Sequence, residues 1–268
     1  MQRVSGVVRL IWLGRLAAAG LSLSLVGGAP SLSQQPATAP AASRVDPAAV
    51  KALSRMSNFL QSQSTFALTA NTSLEVVTND DQKIQLVGTA TYKVRKPDAF
   101  VIDVVSSSWN RRYIYAGGQF TVYAPELGYY ATVPSQATIQ ATLADVATRF
   151  GISIPLDDLF RWSSPEAGRE EALDSAFRVG TEAFDGVITD HYAFREGHID
   201  WQVWIQQGAQ PLPRRVVITD RRDKTNPAYV ADLTWTLNPP LTDADFAFQP
   251  GKGATRIRID QAAQGGGQ

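Results

Sequence analysis

One pair of residues could begin an acid–base centre: Asp190 and His191, adjacent in GVITDHYAFREGHIDWQVWIQQ, residues 186–207. A carboxylate beside an imidazole can orient the ring and hold the positive charge it acquires. The same stretch contains both histidines of the 268-residue chain and two of its six tryptophans. Whether the pair can work as a dyad depends on the element that carries it.

That element reads as a β-hairpin over 187–195 and 199–206. A two-residue turn at Glu196-Gly197 pairs Arg195 with His198, Tyr192 with Trp201 and Phe194 with Ile199. One face then collects Ile188, Tyr192, Phe194, Ile199, Trp201, Val203 and Ile205, and a slip by one residue would mix the faces. Asp190 falls on this apolar face and needs a donor, for which Arg214 or Arg215 is the expected partner. His191 falls on the other face, across from Gln202, with Trp204 beside it. Successive strand residues point to opposite sides, so a regular strand keeps Asp190 and His191 apart. The expected roles are structural, and no residue is assigned to catalysis.

Other chemistries are poorly supplied. No G-x-S-x-G elbow occurs, and two histidines seven positions apart without H-E-x-x-H do not make a metal site. Asp80-Asp81, Asp157-Asp158 and Glu170-Glu171 sit in a turn or near helix starts, where acids are solvated or favour the helix dipole. No cofactor is expected. With no cysteine, disulfides, thiolate sites and a cysteine nucleophile are excluded. Twenty-five basic and 25 acidic residues cancel, which gives no field for nucleic acid.

The amino terminus reads as an export signal. Arg3, Arg9 and Arg15 are its only charges, Leu16–Val26 is an apolar run of eleven residues, and small residues follow. The run is too short to span a bilayer. Ser31 and Ser33 favour cleavage before Gln34, so residues 1–33 are taken as the signal. Losing its three arginines leaves 22 basic against 25 acidic residues, a net charge of −3. The mature chain is expected to be soluble, not acylated, not inserted in a membrane, and monomeric.

Residues 34–45 read as a disordered Pro/Ala-rich leader, 46–260 as one domain and 261–268 as a disordered tail. Asp46-Pro47 starts a helix to about residue 61, with Val50, Leu53, Met56 and Leu60 on one stripe. About six strands follow to residue 134, then helices between 135 and 163. Strands resume near 176–182, 187–195, 199–206, 214–221 and 228–237, and "TDADFAFQP" and "TRIRI" close the fold. Segregated helices and runs of adjacent strands indicate an α+β class with one large antiparallel sheet. Aromatic residues, among them Trp109, Tyr113, Tyr115 and Trp204, concentrate on these strands.

DHYAFREGHIDWQVWIQQGAQPLPRRVVIT together with DFAFQPGKGA resembles the DUF2092 family of predicted periplasmic proteins, over about residues 46–254. Members often carry cysteine before the Asp-His, where this chain has Thr189, so no thiol role transfers. The family is similar, at a distance, to the outer-membrane lipoprotein carriers and receptors of the LolA/LolB type. That resemblance implies a half-open β-barrel whose concave face is covered by helices, an apolar cavity, and no catalytic residues. The candidates for the cavity wall are Trp204, His191 and Tyr115.

The expected function is therefore that of a periplasmic binding or carrier protein, in a Gram-negative cell, for an acyl chain, lipid or lipoprotein. The alternative is an envelope-sensing or interaction module with a protein partner, since related folds occur in a periplasmic stress sensor. A hydrolase is the third reading and requires a pocket holding a perturbed acid or histidine.

Overall fold

The computed structural model of the chain describes residues 44–107, 109–157, 159–160 and 173–260. The signal, most of the leader, Glu170-Glu171 and the tail lie outside the described residues. Asp46 caps α1 (Pro47–Ser62): its Oδ1 accepts the Ala48 N–H at 2.8 Å, with Pro47 at the first helical position. The helix buries Ala49, Ala52, Leu53, Met56 and Leu60, while Val50 is half-buried.

Six antiparallel strands follow: β1 (Thr65–Val77), β2 (Lys83–Arg95), β3 (Ala99–Ser106), β4 (Asn110–Ala116), β5 (Gln119–Ala124) and β6 (Tyr129–Pro134). Next comes α2 (Ile139–Phe150), whose N-cap Thr138 accepts the Ala141 N–H and whose C-cap Gly151 takes the left-handed φ of 66°. A second meander comprises β7 (Ser175–Phe184), β8 (Val187–Glu196), β9 (Ile199–Gln206), β10 (Pro213–Asp220) and β11 (Ala228–Leu237). A single 3-10 turn at Asp243–Phe246 leads to β12 (Thr255–Arg256). Of the expected helix at PLDDLFRW, Pro155 to Asp157 form a turn, Leu159 and Phe160 are helical, and Asp158, Arg161 and Trp162 lie outside the described residues.

All twelve strands form one sheet in the order β12-β6-β5-β4-β3-β2-β1-β11-β10-β9-β8-β7. β1 joins the two meanders, pairing with β2 on one side and β11 on the other. The sheet is antiparallel except at β12, which returns to the far edge and runs parallel to β6. The edges do not meet, so the structure is a half-open barrel. α2 lies in sequence between β6 and β7, at opposite ends of that sheet, and its segment therefore crosses the concave face.

Among the described residues the helix-bearing face is packed with rings, where the resemblance implied an apolar cavity. Phe66, Tyr92, Phe100, Tyr115, Phe120 and Phe160 are each at most 5% exposed and pack with the buried sides of α1 and α2. Phe100 touches the rings of Tyr115, Phe120 and Phe160 at centroid distances of 5.6, 6.4 and 6.1 Å. The β2–β3 turn locks both helices to the sheet. Lys96 Nζ donates to the carbonyls of Leu60 and Gln61 at the end of α1, and Pro97 C=O accepts the first N–H of α2 from Ile139. Burial pushes the Lys96 ammonium down to about 8.

Candidate functional site

The β8–β9 hairpin has a register two residues away from the expected one. The turn is Gly197-His198, so Arg195 pairs with Asp200, Phe194 with Trp201 and Tyr192 with Val203. Gly197 takes φ 57° at the first turn position, the conformation a Gly-x hairpin uses, and Arg195 then grips Asp200 through two hydrogen bonds of 2.6 and 2.8 Å. A shift of two leaves the faces intact. Tyr192, Phe194, Trp201, Val203 and Ile205 point to the helices, with Asp190 in the same phase, and His191, Gln202 and Trp204 point away.

Asp190 is not held by Arg214 or Arg215. Its Oδ1 accepts from Arg178 Nη2 at 2.7 Å, Thr181 Oγ1 at 2.9 Å and Gln207 Nε2 at 3.0 Å. The reason is the edge strand: β7 places Thr181 directly opposite Asp190, whereas Arg215 faces outward to Asp232 and Arg214 reaches Gln206. Burial raises the Asp190 pKa, but the bonds from Arg178, Gln207 and Thr181 outweigh it and hold the carboxyl below its ordinary range.

His191 is 7% exposed on the outer face, the side away from the helices. Its ring lies on Trp204 at 3.8 Å between centroids and 12° between planes. Nδ1 is 3.0 Å from Glu182 Oε1, and Nε2 is 2.9 Å from Gln202 Oε1. The Trp204 indole N–H donates to Glu182 Oε2 at 2.8 Å. That bond, more than the His191 contact, draws the Glu182 carboxyl below its ordinary range. Both ring nitrogens of His191 are engaged and one ring face is covered, so the imidazole is a structural joint between β7, β8 and β9. Thr189 is fully buried and donates to the Glu182 carbonyl. Tyr115 lies on the opposite face, 1% exposed, its hydroxyl donating to the Gln136 carbonyl at 2.9 Å.

The outer face also carries a groove of about 770 Å³. Asn71, Thr72 and Ser73 of β1 form its floor. β2 and β3 supply one wall with Val87 and Val105, and β11 and β10 supply the other with Val230 and Val217. The pairings Ser73 with Val87 and Val230, Thr89 with Val105, and Val217 with Val230 put these side chains on one face. The groove follows β1 and is lined by the adjacent strands β3, β2, β1, β11 and β10. Val87 is 65% and Val105 47% exposed. Arg215 closes one end, bound to Asp232 by two hydrogen bonds of 2.5 and 2.9 Å and lying over the Phe184 ring at 4.6 Å and the Trp204 ring at 5.9 Å. Trp204 and His191 thus support the wall of the groove from behind, and Tyr115 is remote from it. A second recess, of about 110 Å³, lies on the helical face between α1 and the ends of β8 and β9, bordered by Arg55, Asp190 and Gln207.

The groove valines had a readable signal. Each directly follows an inward apolar residue: Leu86-Val87, Val104-Val105, Val216-Val217 and Tyr229-Val230. Adjacent apolar residues in a strand place one on each face. Among the described residues no group of three His, Asp or Glu side chains could hold a metal ion, and no helix is long and apolar enough to cross a membrane.

Known structures are similar to this chain at low identity, and the first of them supports the fold. The lipoprotein LppX of Mycobacterium tuberculosis is 13% identical, with a TM-score of 0.50 over 74% of this chain and 98% of that one. An uncharacterized conserved protein of Thermus thermophilus is 14% identical, with a TM-score of 0.45 over 79% and 99%. A LolA superfamily protein of Nitrosomonas europaea is 11% identical, with a TM-score of 0.36 over 75% and 97%. No curated protein matches the sequence. The family described as "Predicted periplasmic protein (DUF2092)" matches residues 49–260, most of the chain, and the protein is a periplasmic member of that family.

Proposed function

We propose that the protein is a periplasmic binding or carrier protein for an apolar ligand, an acyl chain or lipid, and that it acts without catalysis. The observation that carries this reading is the outer-face groove, where four valines line a hollow open to water. Its volume lies in the range of roughly 300–1,000 Å³ typical of small-molecule sites. A chain laid along β1 removes valine surface and its own methylenes from water, each methylene contributing about 0.8 kcal/mol before ordering costs. Asp190 and His191 support the non-catalytic part, because they face opposite sides, Asp190 Oδ1 is held by three donors and both ring nitrogens of His191 are engaged. The absence of cysteine favours a soluble carrier over an acylated receptor.

Purification from the native periplasm followed by native mass spectrometry tests the reading. The expected result is a bound apolar molecule that disappears in the variant Val87→Asp/Val217→Asp. Protein that carries none, and takes up no fluorescent acyl chain, overturns it.

A second reading, an interaction module for a protein partner, is favoured by one observation. β7 is an edge strand whose Phe177 and Val179 are each 51% exposed. A photo-crosslinking residue at position 177 that captures a defined envelope protein, with the groove empty, would decide for it.

A further inference from the structure

We infer that the groove selects an uncharged amphiphile, an acyl chain esterified to a polyol head, over an acyl chain ending in an anion. This rests on the groove being the ligand site. Arg215 and Asp232 are the charged residues lining it, and they neutralise each other through a two-pronged hydrogen bond. The charges further along the same face are paired in the same way. Lys83 meets Glu75 at 3.1 Å beyond one end, and Arg112 meets Asp103 at 2.6 Å across β3 and β4. Among the described residues lining the groove, an incoming carboxylate or phosphate therefore finds no spare cation, and it must either compete with Asp232 for Arg215 or sit beside Asp232 and be repelled.

Neutral polar groups are plentiful. Asn71, Gln85 and Thr89 line the groove, and Ser73 contributes a hydroxyl that is buried with no hydrogen-bond partner among the described residues. Asn71 and Thr89 line the hollow with polar groups that a ligand hydroxyl or ester carbonyl can pair with. The valines Val87, Val105, Val217 and Val230 take the chain, and the amide and hydroxyl groups along the β1 floor take the head. A free fatty acid satisfies the first requirement and fails the second.

The test compares two probes of one chain length, 1-monooleoylglycerol and oleate, bound to the full protein at about pH 8, where a carboxylate is ionised. Affinities are measured below the aggregation concentration of each. Monooleoylglycerol is expected to bind at least about tenfold more tightly. Asp232→Asn leaves Arg215 uncompensated and should strengthen oleate binding about tenfold while changing monooleoylglycerol little. Equal or tighter binding of oleate to the unaltered protein overturns the inference and leaves the carrier reading standing. Binding of neither probe overturns both.

Discussion

His191 and Trp204 face each other across β8 and β9, their rings stacked at 3.8 Å, and both direct a nitrogen to the same Glu182 carboxylate on β7. Three strands are thereby tied on the face turned away from α1 and α2. Trp204 is 8% exposed, so its loss is a loss of packing as well as of a hydrogen bond. Trp204→Ala is expected to lower stability by about 3 kcal/mol and Trp204→Phe by about 1 kcal/mol, read from urea unfolding midpoints. An equal effect of the two variants would show that the indole ring's stacking contributes nothing of its own.

Asp190 should reveal its partners through pH. Its carboxyl is held below the ordinary range by Arg178, Gln207 and Thr181 against the opposing effect of burial. A depressed carboxylate contributes stability that is complete above the unfolded value near 3.8 and is lost as pH falls through the lower folded value. The protein should therefore be more stable than Asp190→Asn at neutral pH, and the difference should close in acid. Urea unfolding of both forms from neutral to acid pH measures this, and a gap that persists in full at the acid end contradicts it.

Lys96 predicts a slope of the same sign, in the alkaline range. Its folded pKa is pushed down to about 8, from 10.5, by burial at the end of α1. Between those values the folded protein has released the proton and the unfolded chain still holds it, so stability rises with pH across that window. Lys96→Met lacks this term. The stability difference between the natural protein and the variant should shift in favour of the natural protein from about pH 8 to about pH 10, a window set by the same linkage. A flat difference would mean that the ammonium stays charged on its two carbonyls.

Gly88 tests the curvature of the groove wall. A Cβ at this position would lie 2.7 Å from the Val105 carbonyl oxygen, which is backbone and cannot rotate aside. Gly88→Ala is expected to cost about 1–3 kcal/mol, as overpacking does, by forcing β2 and β3 apart. It should also weaken acyl-chain uptake, since Val87 and Val105 move with those strands. Thermal unfolding and a probe-binding titration check the two parts separately.

Much of the fold was legible because its signals were local. Asp46-Pro47 announced α1, and about six strands were expected before residue 134, where β1 to β6 lie. The faces of β8 and β9 were correct because apolar alternation fixes them. Their register was not, because a shift of two preserves every face and only the conformation of Gly197 distinguishes the alternatives. The partner of Asp190 was missed for a related reason. Arg178 lies next to a bulge between Arg178 and Gly180 on an edge strand; Gly180 inside the strand marks the irregularity but not which side chain it re-aims. The groove was written in four apolar pairs, but whether an outward valine faces water, a lid or a hollow depends on how five strands curve together. No single strand contains that information.

The seam between β1 and β11 sets a schedule for the chain. Phe66 takes Leu237 as its neighbour and Asn71 takes Asp232, so the centre of the sheet joins the beginning of the domain to its end. Such distant pairings close late, because the entropy of bringing the ends together must be met before any contact rewards it. β1 cannot acquire its second neighbour while residues 228–237 are still unmade or still threading through a pore. The groove floor is built on this seam, so it comes into existence with the completed sheet. A chain that lacks its last strands holds neither the seam nor the groove built on it.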